Sequence, residues 1–306
     1  MFHKNQNRLQ AKENFAGYAF VAPALICFLL FMVFPFVLTL VMSFFDFNFL
    51  KVKKLSHLAK HLNFVGFDNF VAMFKDKRFV QSIINTAVYT FTTVPASIIL
   101  GLALAYVMHD NIHCKKLLRL AFFIPYISSI VALGAVFKFL FREDGIINNV
   151  LLALNFVSEP IKWAIDPAVS KVPIILLVTW TSLGYVLIIY MAAIENVPKS
   201  LYEAATIDGA GAFTQFMKIT VPLISPTTFY LIIVRMIAVF KLFSSVNVFT
   251  MGSSIASNTS IVQEIYDSAF TEYAHGYASA QSVVLLIIIL IITAIQFWGQ
   301  KKWVHY

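Results

Sequence analysis

The chain has 306 residues, of which 59% are hydrophobic and only 12% charged, more apolar side chain than one soluble core can hide, which argues against a soluble enzyme. The formal net charge is +8, with 23 Lys+Arg against 15 Asp+Glu, but the basic residues are scattered over many loops and form no stripe for nucleic acid. A membrane surface accounts for them.

Lys4, Arg8 and Lys12 precede an apolar run from Tyr18 to Met42 that is too long for a signal peptide and lacks a small-x-small exit, so an uncleaved span is expected. Between an N-terminal segment 1–17 and a C-terminal segment 300–306, six apolar blocks read as spans over 18–42, 81–108, 118–140, 172–194, 223–249 and 279–299. Each is long enough to cross a hydrocarbon core of ~30 Å at about 1.5 Å per residue. The expected fold class is all-α: a polytopic membrane protein of six transmembrane helices. Pro23, Pro35, Pro95, Pro125, Pro173 and Pro226 lie in or near these blocks, and several kinked helices point to a moving part.

Six spans put both termini on one side. Lys and Arg divide equally between the two sides, so the positive-inside count alone does not orient the chain. Density and the anchors Lys115-Lys116-Leu-Leu-Arg119 and Trp298-x-x-Lys301-Lys302-Trp303 lean the termini toward the cytoplasm. In the first outer loop Phe67, Phe70, Val71 and Phe74 recur at helical spacing after Gly66, as in a short interfacial helix or one packed on the rim of the bundle. Cys27 and Cys114 lie far apart on this topology and carry no redox or metal assignment. His57 and His61 are four apart but lack a third ligand and read as part of a solvated loop.

Between the fourth and fifth spans, the loop 195–222 is patterned. Pro198 suits the first turn of a helix, Leu201 to Ala205 propagate it, and Asp208 to Gly211 end it. A second helical stretch from Ala212 to Ile219 leads to Pro222. The expected product is a helix-turn-helix on the membrane face whose small residues allow close approach by another protein.

Glu203-Ala204-Ala205, then Gly209, then Ile219 and Pro222 match the spacing of the EAA motif, and the chain resembles the permease subunits of binding-protein-dependent ATP-binding-cassette importers. Ile207-Asp208-Gly209-Ala210-Gly211 with Phe216 and Lys218 is similar to the carbohydrate branch. Phe64 to Phe70, Asn85-Thr86, Phe249 to Gly252 and Gly276 to Ala280 extend the likeness over most of the chain. Val221 replaces the usual Leu, Gly252-Ser253-Ser254 stands for Gly-Gly-Pro, and Lys241 for a common Gln.

The resemblance implies the type I importer permease fold, with Glu203, Ala204, Ala205, Asp208, Gly209 and Ala210 on a coupling helix that docks into a cytoplasmic ATPase. It further implies a bacterial or archaeal inner-membrane location, cytoplasmic termini, a second permease, two ATPase subunits, an extracytoplasmic solute-binding protein and a sugar substrate. ATP and Mg would belong to the ATPase, with no cofactor on this chain. Glu203 would offer its carboxylate to a donor in the cleft; the alternative is an ordinary solvated charge.

Arg235 lies 13 residues beyond Pro222 and so near mid-membrane. Every Asp and Glu falls outside the expected spans, so Arg235 must meet a wet cavity, freed backbone carbonyls or an acid on a partner subunit. Lys138 suits snorkelling, and for Lys241 snorkelling and a cavity role stand level. Trp180 and Tyr185 with Thr179, Thr181 and Ser182, and Phe243, Ser244, Ser245 and Asn247, offer the aromatic faces and hydroxyl or amide groups a sugar requires, or else helix-helix hydrogen bonds.

Rival classes lack their chemistry. There is no His-Glu-x-x-His, no Gly-x-Ser-x-Gly and no paired intramembrane acids for an enzyme, and no phosphate-binding Gly-x-x-x-x-Gly-Lys-Ser/Thr loop. A secondary transporter would draw on embedded acids or interrupted helices, of which only the second is arguable, from Pro95 and Pro125. An importer of a non-sugar solute such as glycerol phosphate or peptide is the nearer alternative.

Overall fold

The computed structural model describes residues 17–48, 62–108, 115–250, 257–301 and 304. Its elements in chain order begin with α1 (Gly17–Met42), which contains a π-helical turn at Leu29–Val33. A two-residue antiparallel ladder follows, β1 (Phe45–Asp46) with β2 (Asn63–Phe64). Then come α2 (Asp68–Lys75), α3 (Lys77–Val107), α4 (Lys115–Ile127), α5 (Ile130–Leu140), α6 (Ile146–Ala153) and α7 (Val172–Glu195). The loop helices are α8 (Lys199–Ile207) and α9 (Ala212–Leu223), the latter π-helical over Phe216–Thr220. The chain continues as α10 (Ser225–Phe240), α11 (Ser244–Thr250), α12 (Ile261–Tyr266) and α13 (His275–Gln300).

Among the described residues, α1, α3, α7 and α13 are each long and apolar enough to cross a membrane, and the total reaches six if each of two bent helix pairs is one broken span. The stretch read as one span over 118–140 is α4 and α5, bent by 99°. The cause is local. Pro125 has no N–H for the preceding turn, Ser128 turns its hydroxyl back onto the Ile124 carbonyl at 2.7 Å, and Ser129 is extended at φ −60°, ψ 119°. The stretch read as 223–249 begins at Ser225, where α9 and α10 meet at 66° between Pro222 and Pro226, and it breaks again at Lys241 to Phe243. The expectations for the N-terminal Lys4, Arg8 and Lys12, for His57 and His61, for Cys114 and for Gly252-Ser253-Ser254 lie outside the described residues.

The chain divides into two units, residues 1–72 with 268–284, and 73–267 with 285–306. In the first, Phe45 pairs with Phe64, and Asn69 donates to the Ser43 and Phe45 carbonyls at 2.9 and 3.0 Å. Phe44 packs on Phe67 and Phe70 with ring centroids 5.4 and 5.5 Å apart. Phe67 and Val71 stay exposed on α2 and its leading turn.

In the second unit α3 and α7 form the main packed pair, with Tyr89, Leu177, Leu187, Tyr190 and Leu231 fully buried. Gly184 lets α7 meet the backbone of α4: a Cβ there would lie 2.3 Å from the Phe122 carbonyl oxygen. At the other side α3 is polar. Asn85 donates to the Thr259 carbonyl at 3.0 Å, Tyr89 to the Asn258 carbonyl at 2.8 Å, and Thr86 accepts from the Ile261 amide at 2.9 Å. Those bonds satisfy backbone groups of the buried segment that leads into α12.

Candidate coupling surface and translocation cavity

α7 ends at Glu195, and Asn196 donates from its side-chain amide to the Ala192 carbonyl at 2.9 Å. Pro198 precedes α8, and Asp208 closes it. Gly209 sits at φ +78°, with its N–H on the Thr206 carbonyl at 3.1 Å and the Ala210 N–H on the Ala205 carbonyl at 2.8 Å, the paired bonds of a Schellman end. Nothing lies within 4 Å of where a Cβ would be, so a side chain at Gly209 is resisted by the left-handed backbone and not by crowding.

Side chains then lock the hairpin. Gln215 donates to the Ala210 carbonyl and to Thr206 Oγ1, both at 3.0 Å, and the Tyr202 and Thr220 hydroxyls meet at 2.8 Å. From α3, Tyr106 donates to the Ala212 carbonyl at 3.0 Å and lays its ring 4.4 Å from that of Phe216. The hairpin is therefore braced against α3 as well as joined covalently to α7 and α10.

Glu203, Ala204, Asp208 and Gly209 are exposed, and Ala205 and Ala210 are half-buried inside the turn. Ile207 and Phe213 are 87% and 75% exposed, with Leu201 and Met217 open nearby. Sequence reasoning marked the motif residues but missed this apolar set. Its signal was the i,i+4 pair Phe213 and Met217 on a short loop helix, where water gives no reason for two large apolar side chains.

A separate cavity of about 220 Å³ opens where the α4–α5 break faces α7 and α10. Pro125, Tyr126, Ser128, Thr181, Ser182 and Arg235 are among its walls. The Arg235 guanidinium donates to the Ser182 hydroxyl, whose own proton goes to the Val178 carbonyl. Beside it Tyr126 stacks on Tyr185 at 5.4 Å, and the Tyr185 and Tyr230 hydroxyls are 3.1 Å apart.

Of the substrate-path residues expected from sequence, Thr181, Ser182, Arg235 and Ser245 line this cavity and Tyr185 backs its wall. Trp180 stacks on Phe137 at 5.6 Å instead, and Phe243 packs on Tyr266 at 5.0 Å. Lys241 caps the exposed end of α10, while Ser244 is exposed and Asn247 half-buried on α11. Tyr126 and Ser128 were missed. The Pro125-Tyr126 and Ser128-Ser129 pairs in mid-block were the available sign of a break, and side chains at a break face its opening.

Several helices long and apolar enough to cross a membrane, with a small cavity between helical segments and a braced surface hairpin, define the class of a multi-pass membrane protein. The family described as "Binding-protein-dependent transport system inner membrane component" matches residues 69–304, and the chain belongs to that family. It is 32% identical to the lactose transport system permease protein LacF of Rhizobium radiobacter over 302 residues, covering 97% of this chain and 98% of that one. It is 31% identical to the arabinooligosaccharides transport system permease protein AraP of Bacillus subtilis over 284 residues, 92% of this chain and 87% of that one. A chain of the bacterial alginate ABC transporter, solved in complex with an alginate pentasaccharide-bound periplasmic protein, shares the fold with a TM-score of 0.78 at 23% identity, covering 96% of each. The expected all-α permease fold and the carbohydrate-importer resemblance are both borne out.

Proposed function

We propose that this chain is the membrane-spanning permease of an ATP-driven importer, passing a sugar or oligosaccharide from an extracytoplasmic binding protein through the cavity beside Tyr126 and Arg235. It pairs with a second, similar permease, and two ATPase subunits carry the ATP and Mg. The hairpin and both termini lie in the cytoplasm of a bacterial or archaeal cell. The relatives are named for lactose and arabinooligosaccharide transport, which supports the sugar class.

The observation that carries the reading is the hairpin's combination of internal bracing with an outward face of Glu203, Ile207 and Phe213. Large apolar side chains left in water gain about 1.5–3 kcal/mol each when a partner covers them, and Glu203 adds direction through a charge-assisted bond. Because the hairpin is stiff, motion imposed on that face reaches α7 and α10 without being absorbed in the loop. Closure of the ATPase pair then tilts those spans and switches the cavity between the two sides of the membrane.

The test is sugar uptake by the four-component complex in proteoliposomes. Uptake should vanish with a hydrolysis-dead ATPase, and a cysteine at Ile207 should cross-link to the ATPase. Uptake that survives the dead ATPase would eliminate the importer reading.

A further inference from the structure

The charge balance around the cavity carries one step more. Of the 15 Asp and Glu residues, none lies within α1, α3, α4, α5, α9, α10 or α13, and the single acid in α7 is its last residue, Glu195. Arg235 is ten residues into α10, so among the described residues these helices supply no counter-charge beside it. Its terminal nitrogen meets a neutral hydroxyl, and Nε has no acceptor among the described residues. A guanidinium held in a low-dielectric site with donors to spare is an unfilled anion site, because the fork of N–H groups matches two oxygens of one oxyanion.

Three hydroxyls of the wall, which is otherwise largely apolar, are complementary in a second way. Ser128 gives its proton to the Ile124 carbonyl at 2.7 Å, Thr181 to the Leu177 carbonyl at 2.9 Å, and Ser182 to the Val178 carbonyl. Each of these hydroxyls has therefore spent its donor and offers only lone pairs to the cavity. Such a wall accepts bonds from the hydroxyl groups of a solute, while Tyr126 supplies an aromatic face. One strong donor fork, several acceptors and a ring face describe a sugar that carries an acidic group.

We infer that this cavity selects a sugar bearing an oxyanion, a carboxylate, sulfonate or phosphate ester, and that Arg235 is the specificity-determining residue. The inference rests on the importer reading and names its substrate class. A neutral sugar would satisfy the acceptors and leave the guanidinium's charge uncompensated, so the difference between charged and neutral solutes is set at this one side chain.

The experiment uses the purified complex of this chain with its partner permease and ATPases, in nanodiscs, titrated with glucuronate, glucose 6-phosphate and glucose while thermal unfolding is followed. Glucuronate and glucose 6-phosphate should stabilise the complex at concentrations at least about tenfold below glucose, the size of effect expected for one charge-assisted contact. Arg235→Gln should erase that gap. Arg235→Lys, which keeps the charge and loses the fork, should retain the preference for both anions with weaker binding, and it serves as the control should the Gln variant fail to assemble. Equal stabilisation by glucose, or a gap that survives Arg235→Gln, overturns the inference. So does an anion preference present in phosphatidylcholine and absent in phosphatidylglycerol, since an anionic lipid headgroup would then fill the oxyanion site in place of the sugar. All these outcomes are read with ATPase-dependent uptake intact, whereas uptake independent of the ATPase sinks the importer reading itself.

Discussion

The hairpin α8–α9 and the cavity beside Arg235 are built by opposite means. In the hairpin the side chains of Tyr202, Thr206, Gln215 and Thr220 bond to one another and to the turn, leaving an outward face. In the cavity the hydroxyls of Ser128, Thr181 and Ser182 turn back onto their own helices, and the backbone itself breaks by 99° between α4 and α5. On the proposed reading, a surface that is pushed is braced from within, and a space that holds a changing solute is left with unspent acceptors and an interrupted helix.

The largest effect should come from overfilling the packing that supports both regions. Gly184→Val would set a side chain against the Phe122 carbonyl, where even a Cβ comes to 2.3 Å, and overpacking of that kind costs about 1–3 kcal/mol or more. The expected result is loss of folded complex on size-exclusion chromatography, with Gly184→Ala less severe. Next, Glu203→Lys separates the two regions functionally: uptake should fall by ~30-fold or more, the range for reversing a buried partner of a charge pair, while sugar binding by the solute-binding protein is unchanged. Retained uptake in that variant would remove Glu203 from the docking face.

A smaller effect is expected at the turn. Gly209→Val forces a branched side chain into φ +78°, a penalty of about 1–2 kcal/mol, and should loosen the hairpin without touching any neighbour. Gly209→Asn should recover most of the loss, which a steric explanation would not allow. The smallest is Tyr202→Phe, which deletes the 2.8 Å contact with Thr220 and about 0.5–1.5 kcal/mol of bracing. The informative measurement is ATP hydrolysed per sugar transported, expected to rise as stiffness is lost; an unchanged ratio would mean the bracing is not what couples the two.

The two regions also differed in how far the sequence disclosed them. Glu203-Ala204-Ala205 and Gly209 announce a helix and its end through local chemistry, since a left-handed residue is needed two positions before Gly211 and glycine supplies it. Six apolar blocks likewise follow from composition. Arg235 was legible because a charge in an apolar run demands a reason. Tyr126 and Ser128 were not, because hydropathy averages over a break, and Phe-Phe-Ile-Pro-Tyr-Ile reads as an unbroken span unless the proline and the following serine pair are weighed together. Trp180 and Phe243 have the right chemistry for a sugar wall, yet periodicity does not say which face of a helix opens inward, and each found an aromatic neighbour instead.

Helix α3 makes polar contacts near both of its ends. Near its start Asn85, Thr86 and Tyr89 grip the segment Asn258 to Ile261, and near its finish Tyr106 grips the hairpin at Ala212. Tyr89 and Tyr106 stand 17 residues apart on one continuous helix, a tie-rod of ~26 Å between them. On the proposed reading a pull on the hairpin would travel along this one helix to that distant segment, and Pro95, between the two grips, is the place where a backbone bond to the preceding turn is missing.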